Sequence, residues 1–546
     1  MTNKMKRACA AATAAITVFS TSLAGAAVLE TETAEKTMSQ SDAAVLNVGI
    51  TMEPTSYDPA EANLVANCYT TYDCYDRLLT FSQDGTEVEP SLAESWEQVD
   101  DTTYTYKIRE GVKFSDGNDL TMEDVLYSMN RVMDPNENYS MSYLFSNVES
   151  FEADDASMTL TVHLTQPDST WEYVPATSPC TIVEKAVCEA EGDNYGTSPE
   201  TTVGTGPYKL KSWDKNSQIT LEKNENWWGD PSERTFDEIN VYIMQDSSAV
   251  AMAAKNGSVD FIPSVLNEDL TVLNSLPNFA LSQCSGTSTN FIALNTQIAP
   301  FDDENARKAV AWAIDCNAIK QAIGGELATD LNVTCLPEAM YYQNPEKWAA
   351  AVAELEDYTG QDYDKAKEYL AKSAYPDGFE FDYYTLHSAV TQAEVIQAML
   401  EPAGITMNIK EILPADGYAY MYGYNADEEG HRPYQAFGIG WISDYLDPVG
   451  ILKTQFHSDN TAQGCANMAM WSNSEFDELI NKTYLTTDQD ERTDLMIEAA
   501  KIEADACAYI PLYTAVDTWA VNTAYTYEAS PQSFWNFSYT QVKAAG

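Results

Sequence analysis

Gly438-Ile439-Gly440-Trp441-Ile442-Ser443-Asp444-Tyr445-Leu446-Asp447-Pro448 is the stretch around which the remainder of the chain can be read. Phe437, Ile439 and Trp441 alternate with two glycines, the pattern of a short strand. The strand runs into a turn that presents Asp444, Tyr445 and Asp447. Glycine in a strand admits the close approach of another backbone or of a ligand. A carboxylate beside aromatic rings suits a cationic, partly apolar ligand. The same residues also describe an ordinary strand followed by an Asp-Pro turn. Only the rest of the chain separates the two readings.

Outward from this stretch, helical and strand patterns alternate. Upstream they predict a helix over 364–373, a strand over 379–384, a helix over 390–401 and a strand over 405–411. Downstream, Ser474-x-x-Asp477 reads as a capping box, a helix covers 489–506 and a strand covers 518–522. This alternation predicts a mixed or parallel sheet with helices packed on it. Closer to the N-terminus, residues 44–50 form a strand, 61–79 a helix, and 103–109 a half-buried strand. Thr121 and Asp124 approximate a capping box. Residues 209–213 and 218–223 form a hairpin. A strand over 290–296 precedes a helix capped by Asp302 or Asp303.

A chain of 546 residues divides into two or three domains. With 84 acidic against 30 basic residues the formal net charge is −54, which disfavours nucleic acid and anionic lipid as partners. Lys4, Lys6 and Arg7, the mildly apolar run from Ala8 to Leu23, and Ala24-Gly25-Ala26 describe an export signal over residues 1–26. Ala26 stands where lipid anchoring requires a cysteine, and 27–44 reads as a flexible spacer. Of ten cysteines, Cys9 leaves with the signal. Cys68 with Cys74, and Cys180 with Cys188, are close enough in sequence to close small loops, with connectivity undecided. His-Glu-x-x-His, a phosphate-binding Gly-Lys-Ser/Thr loop and a Gly-x-Ser-x-Gly elbow are all missing. His163, His387, His431 and His457 lie at no metal-ligand spacing. Neither catalysis, nor a cofactor, nor a metal is expected.

Several further segments recur in a definite order. They are Leu46-Asn47-Val48-Gly49-Ile50 with Tyr57-Asp58-Pro59, Leu92-Ala93-Glu94-Ser95-Trp96 with the run from Tyr106 to Gly117, and Val203-Gly204-Thr205-Gly206-Pro207-Tyr208. Trp227-Trp228-Gly229, Phe291-Ile292-Ala293-Leu294-Asn295-Thr296, the run from Arg307 to Asp315, and the stretch from Trp441 to Pro448 follow. Together they resemble the substrate-binding proteins of ABC peptide importers, the oligopeptide- and dipeptide-binding family, over almost the whole mature chain.

The resemblance implies an α/β fold of two periplasmic-binding-protein lobes hinged by two crossing segments, with an extra subdomain on lobe one. Lobe one would hold 45–85, 201–288 and 519–546, the extra subdomain 86–200 and lobe two 289–518. The hinge would fall near 290–295 and 514–518. It further implies an exported, periplasmic or cell-surface monomer that captures peptides and delivers them to a membrane permease. Asp444 would pair with the peptide α-ammonium, Trp441 and Tyr445 would wall the pocket, and Leu64, Val65, Ala66 and Asn67 would meet the ligand from lobe one. His387 and Arg432, by their location in lobe two, are the candidates for the ligand carboxylate. The same fold accommodates a nickel chelate, haem, a small sugar or an opine-like amine. The reading from a different class is a secreted hydrolase.

Overall fold

The computed structural model describes residues 44–61, 65–137, 139, 141–413, 416–428, 430–531 and 535–546. The expected export signal and nearly all of the spacer lie outside these residues.

One mixed sheet of eleven strands runs through the molecule. Its order is Ile405–Ile412, Phe379–Leu386, Ala436–Ile442, Phe279–Leu294, Tyr509–Asn522, Phe261–Ile262, Val45–Ile50, Glu238–Ile243, Gln218–Lys223 and Tyr208–Asp214, with Ala328–Thr329 added against Tyr509–Asn522. Phe379–Leu386 is parallel to both of its neighbours, as is Val45–Ile50, whereas the two central strands are antiparallel. The central pair, Phe279–Leu294 and Tyr509–Asn522, crosses from one half of the molecule to the other. Their pairing breaks register between Ser285 and Thr289, opposite Val516 and Thr514. A side-chain-free residue is needed there: a Cβ on Gly286 would lie 2.2 Å from an Asp517 carboxylate oxygen. The break lies just before the expected hinge at 290–295 and inside the one at 514–518.

A second, four-stranded antiparallel sheet joins Ala93–Asp100, Thr103–Ile108, Thr159–Leu164 and Val148–Asp154. Alternation in Thr103–Ile108 buries Tyr104, Tyr106 and Ile108 on one face. Helix Met122–Met133 lies against it and begins with the predicted box, in which the Thr121 and Asp124 side chains each accept from the other's backbone N–H. One apolar cluster links this sheet to the second half of the molecule through Phe145, Trp171, Tyr173, Trp441 and Tyr445. The opposite face of the sheet in that second half is filled by Val310, Ile396, Ile405 and their neighbours.

Four local expectations change. Residues 61–79 are not one helix but the turns Val65–Cys68 and Tyr72–Cys74 followed by strand Leu79–Phe81. Buried Asn67 and Thr70 use their side chains on Ser56, Thr71 and Ala66, and such local bonds compete with helix. Ser474 is the first helical residue rather than the cap. The cap of Ser474–Leu485 is Asn473, which accepts from Glu475 and Phe476 N–H. The strand expected over 518–522 is the end of the fourteen-residue Tyr509–Asn522. No disulfide closes Cys68 on Cys74 or Cys180 on Cys188. These cysteines are buried and act as small apolar side chains. Among the described residues, no helix is long and apolar enough to cross a membrane.

Candidate ligand-binding site

Strand Ala436–Ile442 pairs with the first crossing strand, Trp441 opposite Thr289 and Ile442 opposite Ser288. It therefore ends at the register break, and the turn that follows is placed beside the crossing. Gly438 and Gly440 serve the sheet itself. A Cβ on Gly438 would fall 1.7 Å from the Tyr383 hydroxyl, and one on Gly440 would fall 2.7 Å from the Thr289 carbonyl oxygen. Ser443 Oγ donates to the Tyr445 carbonyl at 2.9 Å, and Asp447 N–H donates to the same oxygen at 3.0 Å. The turn is thus rigidly specified.

Its two carboxylates do different things. Asp447 is fully buried, accepts from Val449 N–H at 2.9 Å to cap the turn Pro448–Ile451, and pairs with the equally buried Arg492 guanidinium. Arg492 Nε also donates to Ser169 Oγ at 2.9 Å, tying in the segment after the small sheet. Asp447 is a structural anion. Asp444 is not. Among the described residues its carboxylate has no cationic partner, and its hydrogen bond comes from the Tyr143 hydroxyl of the small-sheet domain. Enclosure by protein pushes the Asp444 carboxyl up to about 6, with the Tyr143 bond pulling the other way.

Aromatic residues surround this anion. Tyr445 stacks on Tyr173 with ring centroids 5.3 Å apart and planes 15° from parallel. Gln343 Nε2 donates to the Tyr173 and Tyr342 hydroxyls at 3.1 and 3.0 Å. Trp441 is buried, and its carbonyl accepts from Thr289 Oγ1 at 3.2 Å. From the other half of the molecule, Trp535 Nε1 donates to the Ser443 carbonyl at 2.8 Å, while Arg77 holds the Trp535 carbonyl at 2.7 Å. Three parts of the chain therefore meet at one turn.

Trp441, Asp444 and Tyr445 are together by construction; the other expected residues are placed differently. Leu64 lies outside the described residues, and Val65 begins the helical turn Val65–Cys68. Ala66 is buried. Asn67 is also buried and donates to the Ser56 carbonyl at 2.7 Å, so its amide holds the loop. His387 is an exposed side chain at the end of Phe379–Leu386, with Nδ1 2.6 Å from Glu411. Arg432 is buried and donates to the Met421 and Cys465 carbonyls. Tyr143, Tyr173 and Trp535 escaped the sequence reading. No local pattern marks them, because each meets the turn through tertiary contact.

Comparison with known proteins agrees with this architecture. Residues 87–463 match the model of bacterial extracellular solute-binding proteins, family 5 Middle. Heme-binding protein A of Haemophilus influenzae is 29% identical over 476 residues, covering 81% of this chain and 82% of that one. Glutathione-binding protein GsiB of Escherichia coli (strain K12) is 27% identical over 464 residues, covering 84% and 86%. The periplasmic binding protein DppA from Helicobacter pylori, associated with an ABC transporter and solved with the peptide STSA, superposes with a TM-score of 0.78 at 25% identity, covering 92% of this chain and 98% of that one. The chain belongs to the family 5 bacterial extracellular solute-binding proteins and is a non-enzymatic solute-binding component of an ABC importer.

Proposed function

We propose that this protein captures peptides by their α-ammonium in the cleft between its lobes and delivers them to a membrane permease. The observation that carries the reading is Asp444: an enclosed carboxylate with a phenol for a partner and, among the described residues, no cation. A half-buried anion of this kind gains most from an ammonium, because an ionic hydrogen bond is strengthened where water is excluded. Trp441, Tyr445 and the stacked Tyr173 supply apolar walls for the adjoining residue of the ligand.

Lobe one comprises 45–85, 201–288 and 519–546, the extra subdomain 86–200 and lobe two 289–518. The register break from Ser285 to Thr289 supports the boundary at 288/289. Ligand that touches both lobes only when they are closed shifts the population toward closure. The protein works as an exported monomer. His387 and Arg432 remain the proposed holders of the ligand carboxylate, although Arg432 must first release carbonyl bonds to serve it.

Native mass spectrometry of the purified protein, followed by calorimetry with the ligand it reveals, tests the reading. An intact peptide bound one to one is the expected result. A haem, a metal chelate or a sugar as the bound species, or release of cleaved peptide with turnover, overturns it.

A further inference from the structure

Asp517 sits on the second crossing strand, opposite Cys284 and one residue beyond the register break. It shares a strand face with Trp519, whose ring packs 5.4 Å from Tyr527. Tyr527 and Tyr69 both contact Phe537, at 5.7 and 5.6 Å between ring centroids. Tyr69 follows directly on the turn Val65–Cys68 and lies close enough to feel the Asp517 charge. Two residues before Phe537, Trp535 reaches across to Ser443, next to Asp444. These rings form one buried apolar cluster, so the position of Asp517 is set by its own strand, at the crossing beside the register break.

The Asp517 carboxylate has no structural task. Other enclosed carboxylates are satisfied: Asp58 by Arg131, Asp73 by Ser538 and Tyr539, Asp76 by Trp228, and Asp447 by Arg492. Glu503 also lacks a hydrogen bond, but it is sealed in the core where no solute reaches it. Asp517 is different. It retains some exposure, and among the described residues it forms neither a hydrogen bond nor an ion pair. Its oxygens rest over Gly286, where any side chain would displace them. Burial pushes its carboxyl up to about 7, the sign of an anion short of a partner.

We propose that Asp517 is a second ligand-binding carboxylate, which reads a second cationic group on the ligand, the ammonium or guanidinium of a basic side chain. This assignment rests on the peptide reading above and narrows it to basic peptides. A carboxylate without a cationic partner disfavours an anionic group beside it, whereas a ligand with two positive groups would neutralise both Asp444 and Asp517. The surrounding charge, a formal −54, adds attraction for cations at a distance.

The test uses the purified chain and alanine tripeptides carrying one lysine at each position in turn. Each is matched with a twin in which norleucine, of similar length but without the ammonium, replaces lysine. Calorimetry on the wild-type protein should show at least one lysine peptide bound about tenfold or more tightly than its twin. Asp517→Asn should bring that ratio close to one, whereas Asp444→Asn should weaken both twins and leave the ratio standing. Asp517→Asn is nearly isosteric and removes a buried charge, so its melting temperature should not fall. A wild-type protein that binds the tripeptides without preferring lysine, or a preference that survives Asp517→Asn, overturns the role of Asp517 alone. A wild-type protein that binds none of the tripeptides overturns the peptide reading and this assignment with it.

Discussion

The Tyr143 hydroxyl donates to the Asp444 carboxylate, joining two residues 301 positions apart, one beside the four-stranded sheet and one on the turn after a strand of the eleven-stranded sheet. The contact ties the segment before strand Val148–Asp154 to the turn after Ile442. Tyr143 is exposed and Asp444 is half-buried, so the proposed ammonium has a route to the same carboxylate.

Asp444→Asn should therefore abolish most ligand affinity while leaving the fold intact. The amide keeps the shape and still accepts from Tyr143, but it offers no charge to an ammonium. Loss of a buried ionic partner costs about 2–5 kcal/mol, so affinity should fall by roughly 30-fold or more. Calorimetry with the copurified ligand measures the fall, and the melting temperature should hold or rise because an enclosed charge has been removed. An affinity within about threefold of wild type would be evidence against the ammonium role.

The same carboxyl predicts a pH profile. Its folded-state value, about 6, lies above the ordinary 3.8 because enclosure disfavours the charged form. A cation binds the ionised form, so protons compete with ligand as pH falls below about 6. Affinity should then drop by up to about tenfold per pH unit. On the alkaline side, affinity should fall as the peptide α-amino group, with an ordinary value near 8, loses its proton. Binding should be tightest between about pH 6 and 8. With a peptide that carries no basic side chain, and so leaves Asp517 out of the binding, Asp444→Asn should flatten the acidic limb, and a limb that survives this change would assign it to another group.

Asp447 and Arg492 make the opposite prediction, about stability. Both side chains are fully buried, and the pair links the turn to helix Gln489–Ala506. Arg492→Met leaves the Asp447 carboxylate sealed in the core without a counter-charge. Breaking such a pair costs about 3–5 kcal/mol, which urea denaturation would report as a lowered midpoint. Adding Asp447→Leu to that variant should restore part of the loss, because the unpaired charge is then gone.

These contrasts explain what the sequence made legible. The Thr121–Asp124 box, helix Gln489–Ala506 and the alternating strand Ala436–Ile442 depend on neighbours within a few residues, and their patterns survive in the string. The division of labour between Asp444 and Asp447 depends on Tyr143 and Arg492, which no spacing rule connects to them. Arg432 is a candidate from its location alone, because its bonds to the Met421 and Cys465 carbonyls are purely tertiary and leave no mark in the sequence. Asp517 was invisible for the converse reason. What marks it is the lack of a partner, together with a glycine 231 positions earlier in the chain that makes room for it.

Gly438 carries the last prediction, since it separates a sheet role from a ligand role for the strand's glycines. Tyr383, on the parallel neighbour Phe379–Leu386, lays its hydroxyl where a Gly438 side chain would be, 1.7 Å from the built Cβ. Tyr383 is buried and cannot swing out to solvent without opening the sheet. Gly438→Ala should therefore destabilise by about 1–3 kcal/mol, the usual cost of overpacking a close-packed interior. Tyr383→Phe removes the nearest atom but leaves the ring carbon Cζ 2.5 Å from that Cβ, so combining it with Gly438→Ala should recover only part of the loss. Urea denaturation of the two single variants and the double variant measures the coupling. Strictly additive losses would mean that Tyr383 is not what excludes a side chain at Gly438, and would return this glycine to a role at the ligand.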